Sequence, residues 1–148
     1  MKNMRQSFSK SFLFAIYLGE APLLSQKVGN VYNQGSKRKG RDGMIIPKSI
    51  EELAGYAEKG KNVFFFTADW CGDCSFIKPQ MPEIEAAFPQ FQFIQVDRDE
   101  YIDVAAEWNI FGIPSFVVVN DGEEIGRLVN KNRKTKDEIT GFLQRVEG

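Results

Sequence analysis

Apolar residues after Met44 recur first at helical spacing and then in a short continuous run, which predicts a helix followed by a strand. Ser49-Ile50-Glu51-Glu52 has the form of a capping box, and apolar residues follow it at three- and four-residue spacing. This pattern predicts a helix over about residues 49–59 that ends at Gly60. The continuous apolar run Val63–Phe66 predicts a central strand that is covered on both faces.

A longer apolar pattern from Cys74 to about Phe88 predicts a second helix, which Pro79 should kink because proline lacks the helical N–H donor. The remaining predicted elements are an edge strand at 44–46, a strand at 91–97, a helix at 103–108, strands at 115–120 and 124–129 joined by an Asp121-Gly122 turn, and a helix at 135–147. The order is a βαβ unit with parallel strands, followed by a hairpin and a helix. It predicts an α/β fold, a three-layer α/β/α sandwich around a central mixed sheet of four to five strands.

The charged residues divide the chain at Met44. Residues 1–43 carry eight basic and two acidic groups, a net charge of +6, whereas residues 44–148 carry 11 basic and 18 acidic groups, a net charge of −7. The first segment is rich in polar residues and glycine, and it lacks periodicity beyond Phe12–Leu18. We therefore predict one domain over residues 44–148, preceded by a basic extension over residues 1–43.

Three interpretations of residues 1–43 remain open at this point. The extension is a disordered basic tail, or a secretory signal whose apolar stretch is Phe12–Leu18, or a segment that is not natural protein. In the third interpretation Met44 is the true start. Residues 37–43 can be encoded almost wholly by purine codons, as a bacterial ribosome-binding site read in frame would be. We favour this third interpretation, and with it a bacterial source.

The cysteine and histidine content excludes several kinds of site. The chain has two Cys and no His, which excludes a Cys-His nucleophile, a Ser-His-Asp triad and His-based zinc sites. Two Cys are too few for a closed four-thiolate zinc site within one chain. The formal net charge of −1 gives nucleic acid no overall attraction, and Phe12–Leu18 is too short to span a bilayer. We expect no metal, no nucleic-acid partner and no membrane partner.

The two cysteines lie three residues apart, between a predicted strand and a predicted helix. This is the context in which a Cys-x-x-Cys motif of an α/β chain indicates a redox centre. At a helix N-terminus the unpaired N–H groups favour an anion, so we expect the pKa of the Cys71 thiol to lie below about 8.5, the value of a free thiol. A metal half-site shared between two chains, a structural disulfide and a pair of inert thiols remain alternatives.

The segment Trp70-Cys71-Gly72-Asp73-Cys74 resembles the Trp-Cys-Gly-Pro-Cys centre of the thioredoxin family, with Asp73 in place of proline. Further segments match the family in register. Phe66–Trp70 resembles the strand end that leads into that centre, and Pro79 stands five residues after the second Cys, as in thioredoxins. Gly112-Ile113-Pro114-Ser115 resembles the loop that contains a cis proline, and Asp121-Gly122 resembles the hairpin turn. The resemblance covers about residues 44–147 and implies a thioredoxin fold.

The resemblance also implies roles for individual residues. Cys71 would be the attacking thiol and Cys74 the resolving thiol, and the expected substrate-binding residues are Trp70, Gly72, Asp73, Ile113 and Pro114. Within that set Trp70 would form an apolar rim, and the main chain of Ile113 would pair with an extended substrate. Pro114 would face the cysteines, and its lack of an N–H would keep that edge free for substrate.

Besides Asp73, the chain departs from the family at three further positions. Phe65 and Phe93 stand where thioredoxins bury an Asp and place a Lys, so the proton of Cys74 must go to water or to another carboxylate, of which Asp69 and Asp73 are nearest in sequence. Asn130 stands where the family has a glycine on its partner surface. The carboxylate of Asp73 should disfavour the Cys71 thiolate and make the couple more reducing.

These inferences predict a cytoplasmic, monomeric thiol–disulfide oxidoreductase that reduces protein disulfides without a bound cofactor. Its electrons would come from a reductase or a low-molecular-weight thiol. The alternatives are a thioredoxin-fold binding module with an incidental Cys pair, an exported thioredoxin-like protein, and a glutathione-using protein similar to glutaredoxins. Trp70 directly before Cys71 disfavours the last of these.

Overall fold

The computed structural model describes residues 43–147. The described elements are α1 (Ile50–Glu58), β1 (Lys61–Thr67), α2 (Gly72–Ile77), α3 (Met81–Ala87), β2 (Gln92–Asp97), α4 (Ile102–Glu107), β3 (Ser115–Asn120), β4 (Glu123–Leu128) and α5 (Lys136–Glu147). The three interpretations of the basic extension concern residues 1–43, of which residues 1–42 lie outside the described residues, and they stay predictions.

The strands form a mixed sheet in the order β2-β1-β3-β4. Strand β1 runs parallel to β2 and antiparallel to β3, and β3 pairs with β4 in antiparallel orientation, with a register shift between Val118 and Val119. The predicted edge strand at residues 44–46 is reduced to one parallel bridge between Ile45 and Ile94. Two hydrogen bonds hold it there, since the Ile45 N–H donates to the Phe93 carbonyl (2.9 Å) and the Gln95 N–H donates to the Ile45 carbonyl (2.8 Å).

Helices cover both faces of the sheet, so the predicted α/β three-layer fold is confirmed. Phe64 and Phe66 face the layer of α1 and α4, where both rings meet Trp108 edge-on at centroid distances of 5.2 and 5.9 Å. Phe65 faces the layer of α3 and α5 and stacks on Phe116 at 4.9 Å. Successive side chains of a strand point to opposite faces, and burial on both sides explains the continuous apolar run of β1.

The predicted helix from Cys74 to Phe88 is broken into three pieces. Helix α2 gives way to a 3₁₀ turn over Lys78–Gln80, and α3 follows at once. Pro79 lies in that turn and Pro82 lies in the first turn of α3, where a missing N–H costs little. The predicted start at Cys74 was wrong because Cys71 caps the helix, which therefore begins at Gly72.

Two loops meet at the end of the sheet where β1 begins. Gly60 and Asp121 exchange hydrogen bonds: the Gly60 N–H donates to the Asp121 carboxylate (2.8 Å), and the Asp121 N–H donates to the Gly60 carbonyl (2.9 Å). Asp121 and Gly122 have φ values of 48° and 86°, as a two-residue hairpin turn requires. The predicted turn between β3 and β4 is therefore confirmed, and it is fastened to the loop after α1.

A buried tyrosine makes the stability of the domain fall at alkaline pH. The Tyr101 hydroxyl donates to the Pro47 carbonyl (3.4 Å), and burial raises the pKa of Tyr101 to about 12, with Glu100, Glu52, Asp97 and Glu51 acting in the same direction. Because the pKa is higher in the folded chain than in the unfolded chain, the stabilisation is present below the unfolded value of 10.0 and is lost as pH rises toward 12.

We expect the free energy of unfolding of the parent to fall between pH 10 and 12 more steeply than that of Tyr101→Phe. The variant lacks the ionising group and keeps the ring, so the difference between the two proteins isolates this tyrosine. Urea unfolding at a series of pH values measures it. Parallel curves for the two proteins across this range would contradict the prediction.

Candidate active site

The Cys pair lies where β1 ends and α2 begins. Cys71 and Cys74 form a disulfide with their Cα atoms 5.2 Å apart. Cys74 is fully buried, whereas Cys71 keeps 7% of its surface exposed. Burial therefore distinguishes the two cysteines, and Cys71 is the more accessible of them.

The backbone of the first turn of α2 directs one N–H donor toward the Cys71 sulfur. Cys71 is the N-cap of α2, and its Sγ accepts a hydrogen bond from the Cys74 N–H (3.1 Å). Ser75 secures the turn by donating to the Cys71 carbonyl from its N–H (3.1 Å) and its hydroxyl (3.3 Å). A Cβ added at Gly72 would meet no heavy atom within 4 Å, so the side of the site next to Cys71 is open.

The loop before β3 lies against the cysteines. The Ile113-Pro114 peptide bond is cis, and Ile113 packs on the small cluster formed by Ala68, Cys71 and Cys74. The structure thus places together the cysteines and the loop that sequence resemblance assigned to substrate.

Trp70 is held at the rim by a residue that the sequence did not single out. Trp70 is 66% exposed, and its indole N–H donates to the Asp99 carboxylate (2.7 Å). This hydrogen bond lowers the pKa of Asp99, and a second bond from Arg98 acts in the same direction. Asp99 lies 29 residues from Trp70 in the sequence, so no local spacing could have indicated the contact.

A groove of about 360 Å³ runs beside Cys71. It is lined by Trp70, Cys71, Gly72, Asp73, Arg98, Phe111, Gly112, Ile113 and Lys131. Four of the expected substrate-binding residues belong to this lining, while Pro114 is buried behind it. Phe111 also lines the groove and is 65% exposed, but the sequence analysis did not identify it. An apolar residue next to a glycine is too common a pattern to indicate a binding residue.

The two phenylalanines that replace a charged pair of the family lie in the apolar core. Phe65 is fully buried and Phe93 is 3% exposed, in the same cluster. Asp73 instead pairs with Arg133, whose Nε lies 2.9 Å from Oδ1. Asp69 is exposed. The route of the Cys74 proton stays a prediction.

A buried lysine organises the loop between β4 and α5. Lys134 has no exposed surface, and its ammonium donates to the Asn130 carbonyl (3.0 Å), the Asn130 side-chain oxygen (2.7 Å) and the Asn132 carbonyl (2.7 Å). Burial lowers the pKa of Lys134, while Glu138 and Asp73 act in the opposite direction. Sequence reasoning missed this residue, because a lysine in a basic run is typical of a solvated surface.

Within residues 43–147, no three His, Cys, Asp or Glu side chains are grouped so as to hold a metal ion. None of the helices found there is long and apolar enough to cross a membrane.

Sequence comparison gives one family and several relatives. Residues 51–145 match the family model described as Thioredoxin. The chain is 42% identical over 101 residues to "Thioredoxin H-type" of Fagopyrum esculentum, covering 65% of this chain and 84% of that protein. It is 39% identical over 90 residues to "Thioredoxin H-type 1" of Nicotiana tabacum, covering 57% of this chain and 71% of that protein. Both relatives are plant proteins and give no support to a bacterial source.

Solved structures agree with the fold. The thioredoxin of Trypanosoma brucei brucei superposes with a TM-score of 0.65 at 23% identity, covering 76% of this chain and 96% of that one. Mitochondrial thioredoxin 3 of Saccharomyces cerevisiae, in its oxidised form, superposes with a TM-score of 0.58 at 27% identity, covering 68% of this chain and 94% of that one. The chain belongs to the thioredoxin family and is a thiol–disulfide oxidoreductase.

Proposed function

We propose that the chain reduces disulfides of other proteins, with Cys71 as the attacking thiol and Cys74 as the resolving thiol. The observation that carries this assignment is the unequal burial of the pair, since a substrate sulfur can approach Cys71 but not Cys74. The N-cap position of Cys71 supports it further, because N–H groups at a helix start stabilise a thiolate.

The exchange transfers two electrons in two displacements. The Cys71 thiolate attacks one sulfur of the substrate disulfide; a new S–S bond forms, the substrate bond breaks, and the departing substrate thiolate takes a proton. Cys74 then loses its proton to water or a nearby carboxylate and attacks Cys71 Sγ. This second step releases the other substrate thiolate and leaves the Cys71–Cys74 disulfide.

The main chain of Ile113 is suited to hold an extended substrate. The β1–β3 ladder ends with Phe66 opposite Ser115, so Ile113 lies beyond the last pair of that ladder. Its peptide groups border the groove, and Pro114 brings no N–H of its own that would compete. A substrate strand laid across Ile113 would pair by β-augmentation, with Trp70, Gly72 and Asp73 on the other wall.

The proposed setting is the cytoplasm, where the protein acts as a monomer and receives electrons from a reductase or a low-molecular-weight thiol. Both cysteines of the chain are used in the redox pair, which leaves none for the structural bridges common in exported proteins.

Insulin reduction tests the proposal. With dithiothreitol as the reductant, the parent should accelerate insulin precipitation well above the uncatalysed rate. Coupling the same reaction either to NADPH and a thioredoxin reductase or to glutathione separates the two kinds of donor. A parent that binds insulin without accelerating its reduction would contradict the proposal and favour a binding module.

A further inference from the structure

An arginine from a distant loop lies on the helix that carries the redox pair. The Arg133 Nε is 2.9 Å from Asp73 Oδ1, and its guanidinium lies over the Phe76 ring at 4.5 Å from the centroid. Both contacts fall within α2, whose N-cap is Cys71. The Arg133 guanidinium is therefore held beside the first turn of this helix by a carboxylate and by an aromatic ring.

Hydrogen bonds within the loop between β4 and α5 hold the backbone on both sides of Arg133. The buried Lys134 ammonium joins Asn130 to Asn132 from within, and the Asn132 N–H donates to the Asn130 side chain (2.9 Å). The backbone of Asn130 also lies directly against Gly112, in the loop that carries Ile113. The main chain next to Arg133 is thus held in place relative to the site.

The charges around Asp73 determine what this arginine does. Alone, a carboxylate two residues after Cys71 would oppose the helix N-terminus and disfavour the thiolate. Arg133 contacts that carboxylate directly, and Lys134 also interacts electrostatically with it. Glu138 faces Lys134 from the first turn of α5 and partly offsets that second cation.

We propose that Arg133 is a positioning residue of the redox centre, which holds the Asp73 carboxylate and offsets its charge beside Cys71. The inference rests on the proposed role of Cys71 as the attacking thiol. It revises the expectation that Asp73 by itself makes the couple more reducing: the ion pair, and not the lone carboxylate, determines the balance between dithiol and disulfide.

A double-mutant cycle tests this with Arg133→Met, Asp73→Asn and the double variant. Each protein is equilibrated with glutathione redox buffers, and the fraction of disulfide is read by alkylation and mass spectrometry. Arg133→Met should shift the equilibrium toward the disulfide by about threefold to fivefold, because it leaves Asp73 unopposed. Asp73→Asn should shift it toward the dithiol by a similar factor. The double variant should lie within about twofold of the parent.

Matched variants separate this role from general charge and from folding. Arg145→Met removes an exposed arginine in the last turn of α5 and should leave the equilibrium unchanged. Arg133→Lys keeps the charge and should restore most of the parent value, whereas a purely steric role would not be rescued. Iodoacetamide alkylation of the reduced proteins across pH gives a second readout, in which Arg133→Met reacts at Cys71 more slowly than the parent at neutral pH.

An equilibrium for Arg133→Met that matches the parent, or a shift toward the dithiol, would overturn the proposal. So would a double variant as far toward the disulfide as Arg133→Met alone, because Arg133 would then act without Asp73. These measurements use no substrate protein. A failure of the proposed function would instead appear as a parent that exchanges normally with glutathione and does not reduce insulin.

Discussion

The Cys71→Ser variant is expected to lose insulin reduction by at least about a thousandfold, down to the uncatalysed rate. A serine hydroxyl is not ionised near neutral pH and cannot form the mixed disulfide. The other sulfur-containing residues among those described are Cys74, which is fully buried, and Met44 and Met81, which are also buried and whose thioethers do not exchange. The rate of insulin precipitation with dithiothreitol measures the loss. Substantial residual catalysis would show that Cys71 is not the attacking thiol.

Cys74→Ser is the matched control for that variant. It keeps Cys71, the more accessible cysteine, and removes the resolving one, so the first displacement proceeds and the second does not. We expect a stable mixed disulfide between Cys71 and its substrate, detected by mass spectrometry as a reducible adduct. Equal reactivity of both variants toward a substrate disulfide would contradict the division of roles between the two cysteines.

The second large effect is expected at Gly112. A Cβ added there would lie 2.5 Å from the Asn130 carbonyl oxygen, 2.6 Å from its carbon and 2.7 Å from the Lys131 nitrogen. These are backbone atoms of the loop held by Lys134, so they cannot turn aside as a flexible side chain would. We expect Gly112→Ala to lower the free energy of unfolding by about 2–3 kcal/mol and to slow insulin reduction, because Ile113 must shift.

Gly72→Ala provides the stability control for this prediction. It adds the same methyl group at the other wall of the groove, where no heavy atom lies within 4 Å. We expect the free energy of unfolding of this variant to stay within about 0.5 kcal/mol of the parent. Urea unfolding of both variants decides the matter. Equal stability losses at the two positions would contradict the tight contact between Gly112 and the Asn130 loop.

The sequence predicted those parts of the fold that depend on short-range pattern. The helix cap at Ser49 and the turn at Asp121-Gly122 depend on neighbouring residues, and both are present. The second half of the predicted capping box differs, because the Glu52 carboxylate accepts from the Lys48 N–H (2.9 Å), one residue before the cap. The start of α2 was misplaced because the cap is a cysteine sulfur, which is not among the usual capping side chains. The edge strand at 44–46 was overestimated, since apolar content alone does not determine how many ladder pairs form.

In the candidate site, too, residues in short sequence motifs could be predicted, whereas residues placed by tertiary contacts could not. Trp70, Cys71 and Ile113 could be predicted as site residues because they lie in short motifs that resemble a known family, and all three line the groove. Arg133 and Lys134 could not, because their partners are set by tertiary structure and because adjacent basic residues look alike in sequence. In the fold they differ completely: the Lys134 side chain is enclosed by its own loop, and Arg133 reaches across to α2.

The two edge strands of the sheet, β2 and β4, affect the tendency of the protein to aggregate. An unprotected edge strand is a template on which further chains can add and start fibrils. On one side, Ile45 already occupies part of the β2 edge. On the other, β4 carries the ion pair of Arg127 with Glu124, and the register shift at Val118 disturbs its alignment with β3. Both edges of the sheet are therefore poor templates for aggregation.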